Sequence, residues 1–304
     1  KYLNKENFCQ IPLASDPNFI RDLLIVCEKN KIKVVLPLVT LELFKLSKAK
    51  RLFEERGIAI IVSDHNTLST LNDKGLLYKH LEKNNIELPK FELIENKNQL
   101  LDAIHKIGYP DIPVVIKPRI SNGSRGVRII DNKIDRYDLL FNKKPNSIYI
   151  TLEELISVIK DKPIPPIIIS EYLPGKEITI DAILNNDKTE EIIIRTREKM
   201  RSGISVKGNF IENKYIEDYI RNILSTFKGL DGPIGFQLKE SNLKKFLLLE
   251  CNPRLQGSSV SAMGIGINIP IRVLKNKLNI FQEKISRKKD VSFTKYYTEI
   301  FYES

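Results

Sequence analysis

The sequence predicts a protein of the α/β fold class, because amphipathic helices alternate with short apolar strands near its beginning. Helices are expected over residues 16–30, where apolar side chains recur at helical spacing, and over residues 41–56, which Gly57 closes. Short apolar strands are expected at residues 33–38 and 58–62, one after each helix. This alternation favours parallel pairing of the two strands. The chain opens without a strand and glycine turn, so we expect the first lobe to be partial.

The composition is that of a globular protein with a basic surface. Of 304 residues, 42% are hydrophobic, and the formal net charge is +11, which favours anionic partners. The basic residues are spread along the chain and no RNA-binding aromatic motif occurs, so no nucleic-acid partner is expected. The sequence contains no signal peptide and no apolar run of membrane-spanning length, which predicts a cytoplasmic protein without a membrane partner.

Cysteine and histidine are too scarce and too scattered to predict a metal site. Cys9, Cys27 and Cys251 form no C-x-x-C pair, and the three histidines are isolated from one another. These spacings argue against a disulfide framework, a thiolate zinc site and a histidine metal motif.

Two lysines lie in the segments that follow. Residues 67–85 are expected to form one long helix, and Lys74 within it is more often a solvated side chain than a ligand. Residues 113–118 form a predicted buried strand that carries Lys117, and the Gly/Ser loop 121–126 leads into a returning strand. Such a loop either places backbone N–H groups on phosphates or is only a flexible hairpin, and Lys117 at its base favours phosphate.

The second half of the chain is predicted to be rich in strands. After a helix at residues 152–160, strands are expected at residues 167–170, 178–184, 192–197, 234–238 and 246–252. A Pro-Gly pair between the first two of these strands marks a turn or hinge. Basic side chains cluster on and after the third, at Arg195, Arg197, Arg201 and Lys207.

Polar side chains gather where the last of these strands ends. Glu250 and Asn252 are two residues apart, so in a strand both point to one face and Cys251 points to the other. Pro253 ends the strand and Arg254 follows it. Divalent cations bind carboxylate and amide oxygens, and a guanidinium binds phosphate oxygens. The alternative is a surface strand end with a structural Asn-Pro turn, and this motif alone does not decide between the two.

Four motifs, in this order, resemble the ATP-grasp superfamily, in its carboxylate–amine ligase and carbamoyl-phosphate-synthase large-subunit-like branch. They are P-V-V-I-K-P with the loop G-S-R-G-V, the hinge E-Y-L-P-G-K-E, the strand bearing Gln237, and E-C-N-P-R-L-Q-G-S-S. The resemblance implies a partial α/β pre-ATP-grasp lobe followed by two α+β subdomains that clamp ATP. The implied regions are 1–66 (pre-ATP-grasp lobe), 67–103 (linker helix region), 104–170 (lid) and 171–304 (C-terminal catalytic subdomain).

The resemblance also implies which residues bind ATP. Lys74 and Lys117 would bind its phosphates, beneath a loop that includes Ser124, Arg125 and Gly126.

Adenine and ribose would be held at the hinge. Glu171 and the backbone of Tyr172 and Leu173 would bind adenine, and Glu177 would accept the ribose hydroxyls.

The metal site and the catalytic residues follow from the same resemblance. Gln237, Glu250 and Asn252 would carry two Mg²⁺ ions, with Mn²⁺ as an alternative, and Glu250 would bridge them. Arg254 would stabilise the transferring phosphoryl group. Arg201 and Lys207, with Arg197, are candidates for holding the substrate carboxylate or the acyl phosphate, or they form only a solvated basic strand face.

One detail of this site stays open at the level of sequence. Gln237 lies opposite Glu250 only if the hairpin centres near residues 243–244. A tight turn at residues 241–242 would instead place Gln237 opposite Phe246.

The reaction implied by the resemblance is ATP-dependent activation of a small carboxylate as an acyl phosphate, which then reacts with an amine or a similar nucleophile. The resemblance also allows a homodimer. One alternative is a carbamate or small-carboxylate kinase activity like that of carbamoyl phosphate synthase. Another is a non-catalytic, ATP-binding regulatory protein, which the joint presence of Glu250, Asn252 and Arg254 disfavours. A nucleic-acid binder is supported only by the net charge.

Overall fold

The computed structural model describes residues 8–121, 123, 125–143, 148–201, 203–283, 286–296, 298–299 and 301. Ser124, one of the predicted phosphate-loop residues, lies outside this set. Within the described ranges, no helix is long and apolar enough to cross a membrane.

The first lobe is a small α/β layer, as the sequence predicts. Its elements are α1 (Phe19–Lys29), β1 (Val34–Val35), α2 (Thr40–Glu54) and β2 (Ala59–Ile60). The two strands pair in parallel, Val34 opposite Ala59 and Val35 opposite Ile60. Both are shorter than expected. The helices bury apolar side chains, including Phe19 and Phe53, against this layer.

The prediction of one long helix at residues 67–85 is wrong, because the structure has two helices there. They are α3 (His65–Asn72) and α4 (Lys74–Lys83). Asp73 between them is extended, with φ −100° and ψ 112°, and its side chain accepts hydrogen bonds from the N–H groups of Gly75 (2.8 Å) and Leu76 (3.1 Å). Asp73 therefore caps α4, and Lys74 is the first residue of that helix rather than a mid-helix side chain.

The lid is a five-stranded sheet with helices packed on it. Its elements are β3 (Phe91–Ile94), α5 (Leu100–Ile107), β4 (Val114–Pro118), β5 (Arg128–Ile130), α6 (Arg136–Phe141), β6 (Tyr149–Ile150), α7 (Leu152–Ile159) and β7 (Ile167–Glu171). The strand order is β3-β7-β4-β5-β6, and β4 and β5 are antiparallel, as the predicted returning strand requires. The sequence-based boundary at residues 103 and 104 divides this sheet, because β3 lies before it and pairs with β7.

The C-terminal part is built on an antiparallel sheet. Its elements are β8 (Glu177–Asn185), β9 (Lys188–Thr196), β10 (Lys199–Arg201), β11 (Ile204–Ile211), α8 (Lys214–Ser225), β12 (Gly232–Glu240), β13 (Phe246–Asn252), α9 (Ile269–Lys277) and β14 (Ser292–Thr294). The main strand order is β10-β11-β9-β8-β12-β13, and β14 pairs with β11. One face of the sheet is buried against α8, whose Ile216 and Ile220 contact the same core as Phe236 and Cys251. The other face packs against α9 through Ile183 and Val273, and it carries polar side chains where β12 and β13 pair.

An ion pair joins the lid to the start of α4. Arg119, just after β4, donates from Nε to Asp73 Oδ1 (3.0 Å) and from Nη2 to Asp73 Oδ2 (2.9 Å). A third bond runs from Arg119 Nη1 to Glu95 (2.8 Å), and the N–H of Lys74 donates to the Arg119 carbonyl (3.1 Å). A Cβ at Gly75 would lie 2.5 Å from Arg119 Nε, so only glycine lets the guanidinium approach this closely. This contact fixes the end of β4 against the helix that begins with Lys74.

We predict that Asp73→Ala lowers the free energy of unfolding by about 2–4 kcal/mol, because it removes a helix cap and the carboxylate that pairs with Arg119. The matched control is Asp135→Ala, since Asp135 caps α6 through the N–H groups of Tyr137 and Asp138. The control should lose about 1 kcal/mol. Equal losses for the two variants in urea unfolding would contradict a stabilising role for the Arg119 contact.

Candidate active site

The predicted metal-binding side chains lie on neighbouring strands and share one face of the sheet. Gln237 on β12 is directly opposite Glu250 on β13, and Gly235 is opposite Asn252. This settles the register that the sequence left open. A register shift between Gln237 and Leu238 brings Gln237 opposite Glu250. Asn252 Nδ2 donates to Glu250 Oε1 at 3.3 Å.

Lys74 points at this carboxylate. Its Nζ lies 3.4 Å from Glu250 Oε2 and 3.3 Å from the carbonyl oxygen of Ser121, where the loop after β4 begins. The expectation that Lys74 is usually solvated is wrong here, because the residue is only 5% exposed. The cap at Asp73 explains the difference, since breaking the helix there turns Lys74 inward.

Lys117 on β4 is the second buried lysine at the site. The pKa of Lys117 is lowered to about 8, chiefly by burial; Glu250 and Glu177 oppose this effect, and Lys74 and Lys239 add to it. Removing an ammonium group from water is unfavourable unless an anion lies nearby. Two lysines facing one carboxylate leave an excess of positive charge, which an anionic ligand would compensate.

Lys239 was missed by the sequence analysis. It lies on β12 two residues after Gln237, so the two side chains share a face, and the cross-strand partner of Lys239 is Glu177. Its Nζ is 4.9 Å from the centre of the Tyr172 ring, and burial lowers the pKa of Lys239. The spacing of two from Gln237 is the sequence signal that could have identified it.

The hinge residues are held by the lid sheet. Glu171 Oε1 accepts the N–H of Lys90 at 2.8 Å, and the N–H of Tyr172 donates to the Pro113 carbonyl at 3.3 Å. Leu173 is buried. Burial, with a contribution from Tyr149, raises the pKa of Tyr172 to about 12. In the described part of the chain, no hydrogen bond reaches the carbonyl of Tyr172 or the N–H of Leu173.

Glu177 and Arg197 form an ion pair beside the hinge. Arg197 Nε lies 3.0 Å from Glu177 Oε1, and its Nη1 donates to Thr179 Oγ1 at 3.1 Å. Arg197 Nη2 also donates to the Gly203 carbonyl at 2.8 Å. These contacts hold the guanidinium firmly at the wall of the site.

Arg254 connects the strand end to the first lobe. Its Nε donates to Thr40 Oγ1 at 3.2 Å, and its Nη1 donates to the Leu255 carbonyl at 2.7 Å. Burial lowers the pKa of Arg254, and Glu250 opposes this effect. The guanidinium thus stays close to the predicted metal ligands.

A polar cavity of about 320 Å³ joins the three predicted metal ligands to Arg197 and Arg254, while the buried lysines and the hinge residues do not line it. Its walls are formed by Gly123, Arg197, Gly203, Ile204, Ser205, Gln237, Glu250, Asn252, Arg254, Gln256, Gly257 and Ser258. Arg201 and Lys207, two of the predicted catalytic residues, do not line it. Lys207 instead lies 3.5 Å from Glu198 on the exposed side of β11.

The loop predicted to cover phosphates lies at one edge of this cavity. Gly123 reaches the cavity wall, and Arg125 and Gly126 are exposed. Gly126 has φ +76°, and a Cβ there would lie 2.6 Å from Pro118 Cγ. The loop therefore needs glycine to turn tightly beside the end of β4.

A buried ion pair holds the loop that lines the polar cavity after Arg254. Arg195 is fully buried, pairs with Asp181 and donates from Nη2 to Ser258 Oγ at 3.0 Å. Asp181 Oδ1 accepts from Gln256 Nε2 (2.9 Å) and Ser259 Oγ (2.8 Å). The loop that follows Arg254 is thus anchored by one carboxylate. In the sequence, Asp181 is only a charged residue inside a predicted strand, and Arg195 is only one member of a basic cluster. Nothing in the sequence pairs them.

The donor set fits a magnesium nucleotide. The described residues contain no group of three or more His, Cys, Asp or Glu side chains that could hold a metal alone. One carboxylate and two amide oxygens suit an ion that takes further oxygens from phosphate and water. The two buried lysines supply positive charge next to Glu250.

Two family models match this chain, and the longer match is to an ATP-grasp model. Residues 163–299 match the family model described as "ATP-grasp in the biosynthetic pathway with Ter operon", and residues 3–61 match the model described as "PylC-like, N-terminal domain". The match to an ATP-grasp model, together with the curated relatives, confirms the resemblance to the ATP-grasp superfamily predicted from the motifs.

Curated proteins similar to this chain include carbamoyl phosphate synthase large chains. It is 27% identical over 244 residues to the carbamoyl phosphate synthase arginine-specific large chain of Bacillus subtilis (strain 168), covering 76% of this chain and 21% of that protein. The chain therefore spans about a fifth of the length of this curated relative.

Solved structures share the fold at low identity. The ADP complex of PurK, an N5-carboxyaminoimidazole ribonucleotide synthetase, has a TM-score of 0.69 and 13% identity, and the match covers 92% of this chain and 68% of that one. The biotin carboxylase domain dimer of Hydrogenobacter thermophilus 2-oxoglutarate carboxylase, in complex with MgADP, ADP and bicarbonate, has a TM-score of 0.65 and 14% identity. That match covers 94% of this chain and 62% of the other.

We predict that ADP affinity, measured without divalent metal, falls about tenfold between pH 7 and pH 9. With a pKa of about 8, Lys117 is a cation below that pH and neutral above it, so binding an anion at pH 9 must first add a proton. Lys117→Arg keeps its charge throughout this range, and its affinity should stay flat. ADP affinity is measured by calorimetric titration. If it falls equally with pH in the wild-type protein and in Lys117→Arg, Lys117 does not bind the phosphates.

A further prediction concerns the buried ion pair of Arg195 and Asp181. Asp181→Ala should lower the free energy of unfolding by about 3–5 kcal/mol, because Arg195 is left buried without a counter-charge. The double variant Arg195→Met, Asp181→Leu should recover most of this stability. Its ATP turnover should stay low, because Gln256 and Ser259 have lost their shared acceptor. Full turnover in the stable double variant would show that the network supports folding only.

Proposed function

We propose that the protein is an ATP-dependent ligase that activates a carboxylate as an acyl phosphate and joins it to an amine or similar nucleophile, releasing ADP and phosphate. The observation that carries this proposal is the contact of buried Lys74 with Glu250, with buried Lys117 in electrostatic range of the same carboxylate and Arg254 at the same strand end. Phosphoryl transfer depends mainly on positioning and on neutralising charge. Glu250 and Arg254 line one polar cavity, and the two lysines add positive charge next to Glu250.

In this proposal, the lysines hold the phosphates and the strand-end oxygens hold the metal. Lys74 and Lys117 bind phosphate oxygens, and Gln237, Glu250 and Asn252 are the ligands of two Mg²⁺ ions, or of Mn²⁺. When bound, the ions neutralise the β- and γ-phosphate oxygens. The MgADP complex of the structurally similar biotin carboxylase domain supports this choice of metal and nucleotide.

Adenosine is assigned to the hinge. The carbonyl of Tyr172 and the N–H of Leu173 form an acceptor and donor pair without protein partners among the described residues, which suits the edge of adenine. Glu171 supports the hinge through Lys90. Glu177 accepts the ribose hydroxyls, although one of its oxygens already pairs with Arg197.

The chemistry proceeds in two displacements. A carboxylate oxygen attacks the γ-phosphorus, the bond from that phosphorus to the ADP oxygen breaks, and Arg254 stabilises the charge on the transferring group. The nucleophile then attacks the acyl carbon, phosphate leaves, and the nucleophile loses a proton. The lid excludes water, which would otherwise hydrolyse the acyl phosphate. Arg197 lines the cavity, unlike Arg201 and Lys207, and is a candidate, together with Arg254, for contacting the substrate carboxylate.

Phosphorylation of carbamate or another small carboxylate is the second candidate. The similarity to a carbamoyl phosphate synthase large chain favours it. In this case the acyl phosphate is itself the product, and no amine needs to bind.

Hydroxylamine trapping tests the proposal directly. The protein is incubated with ATP, Mg²⁺, hydroxylamine and a panel of carboxylates, and hydroxamate and ADP are measured. Hydroxamate from a carboxylate supports activation, and a further amine that suppresses hydroxamate while ADP release continues supports the ligase. Carbamate-dependent ADP release alone favours the kinase. ATP binding without carboxylate-stimulated turnover would show a non-catalytic protein and overturn the proposal.

We predict that Glu250→Gln lowers metal-dependent ATP turnover about 100-fold or more, because the shared carboxylate of the metal site is lost. Glu87→Gln is the control, since Glu87 is an exposed carboxylate that pairs with Lys245. It should keep full turnover. Undiminished turnover of Glu250→Gln, with an unchanged circular dichroism spectrum, would exclude Glu250 as a metal ligand.

A further inference from the structure

A second, larger cavity lies on the other side of Arg254. Its volume is about 600 Å³, which is within the range of small-molecule pockets. Arg254, Gln256 and Gly257 line both this cavity and the polar one that contains Glu250. The two cavities therefore share a wall that includes Arg254.

The walls of this cavity are mostly apolar, and three separate elements contribute to them. Leu38 comes from the first lobe, Val260 and Met263 come from the short 3-10 helix Ser259–Ile265, and Ile271 comes from α9. All four are exposed hydrophobic residues, Val260 to the extent of 60%. Scattered single apolar side chains on a surface need no explanation, whereas a group that surrounds one cavity indicates a binding site.

Arg254 gives this apolar cavity one charged end. Its Nε and Nη1 are bonded to Thr40 and to the Leu255 carbonyl, and no hydrogen bond involves its Nη2 in the described ranges. A guanidinium recognises a carboxylate. A carboxylate at Arg254, beside the predicted metal ligands, would have its substituent next to apolar walls.

We infer that this cavity binds the apolar substituent of the carboxylate substrate, so that the protein selects monocarboxylic acids with an aliphatic or aromatic side chain. This inference rests on the proposed function for the fate of the carboxylate. Each methylene buried should raise affinity about fourfold, the equivalent of about 0.8 kcal/mol.

The first test is binding, which does not require turnover. Calorimetry in the presence of ADP compares acetate, butanoate, hexanoate and octanoate with octanol and succinate. Affinity should rise about fourfold per methylene until the cavity is filled, and octanoate should bind more tightly than octanol or succinate. Val260→Lys and Ile271→Lys should each lose most octanoate binding. The matched control, Val158→Lys, changes a valine of α7 that is 70% exposed and far from the cavity wall residues in sequence, and it should bind octanoate normally.

The second test repeats the hydroxamate assay with the same acids. The chain-length trend should appear in kcat/KM for the acid in the wild-type protein and vanish in Val260→Lys and Ile271→Lys, with KM for ATP unchanged. Equal octanoate binding by all variants, a preference for succinate, or self-association that only the cavity variants abolish would overturn the inference. Octanoate binding as expected, without hydroxamate from any acid, would overturn the proposed function and leave the apolar carboxylate site standing.

Discussion

The structure depends on how two buried lysines are balanced by one carboxylate. Lys74 and Lys117 approach Glu250 from the start of a helix and from the lid sheet, and both are nearly removed from water. Burial of two ammonium groups is costly when, among the described residues, Glu250 is the one carboxylate that contacts either of them. The Arg119–Asp73 contact holds α4 against the end of β4. The two lysines therefore cannot move apart easily to reduce their repulsion. An anionic ligand gains affinity from this imbalance.

Much of the fold and part of the site could be predicted from sequence, because some patterns fix geometry locally. A spacing of two in a strand is enough to place Glu250 and Asn252 on one face and bury Cys251 on the other. Helix and strand alternation correctly predicted the parallel layer of the first lobe. The order of the four motifs predicted the superfamily, which no single motif could do.

The remaining features depend on contacts between residues far apart in sequence. Asp73 breaks a helical pattern because Arg119, 46 residues later, shares its carboxylate with the helix cap. The pairing of Gln237 with Glu250 depends on a local register shift that side-chain patterning does not encode. Arg195 resembles any basic strand residue until its partner, Asp181, lies beside it in the sheet. Arg201 and Lys207 belong to the same basic cluster in the sequence as Arg197. Arg197 is held at the cavity wall by Glu177 and Thr179, whereas the other two do not line the cavity.

The loop from Arg254 to Ser259 links these features into one arrangement. Its inner side is fixed by Asp181, through Gln256 and Ser259, while its outer side forms walls of both the polar and the apolar cavity. Because the same loop residues form walls of both cavities, a shift of this loop changes the shape of both cavities. In the proposed reaction, the guanidinium that meets the phosphoryl group therefore also sets the distance from the strand-end oxygens to the apolar walls. Substrate selection and phosphoryl transfer then depend on the same few side chains, and a carboxylate that fills the apolar cavity is also aligned for attack.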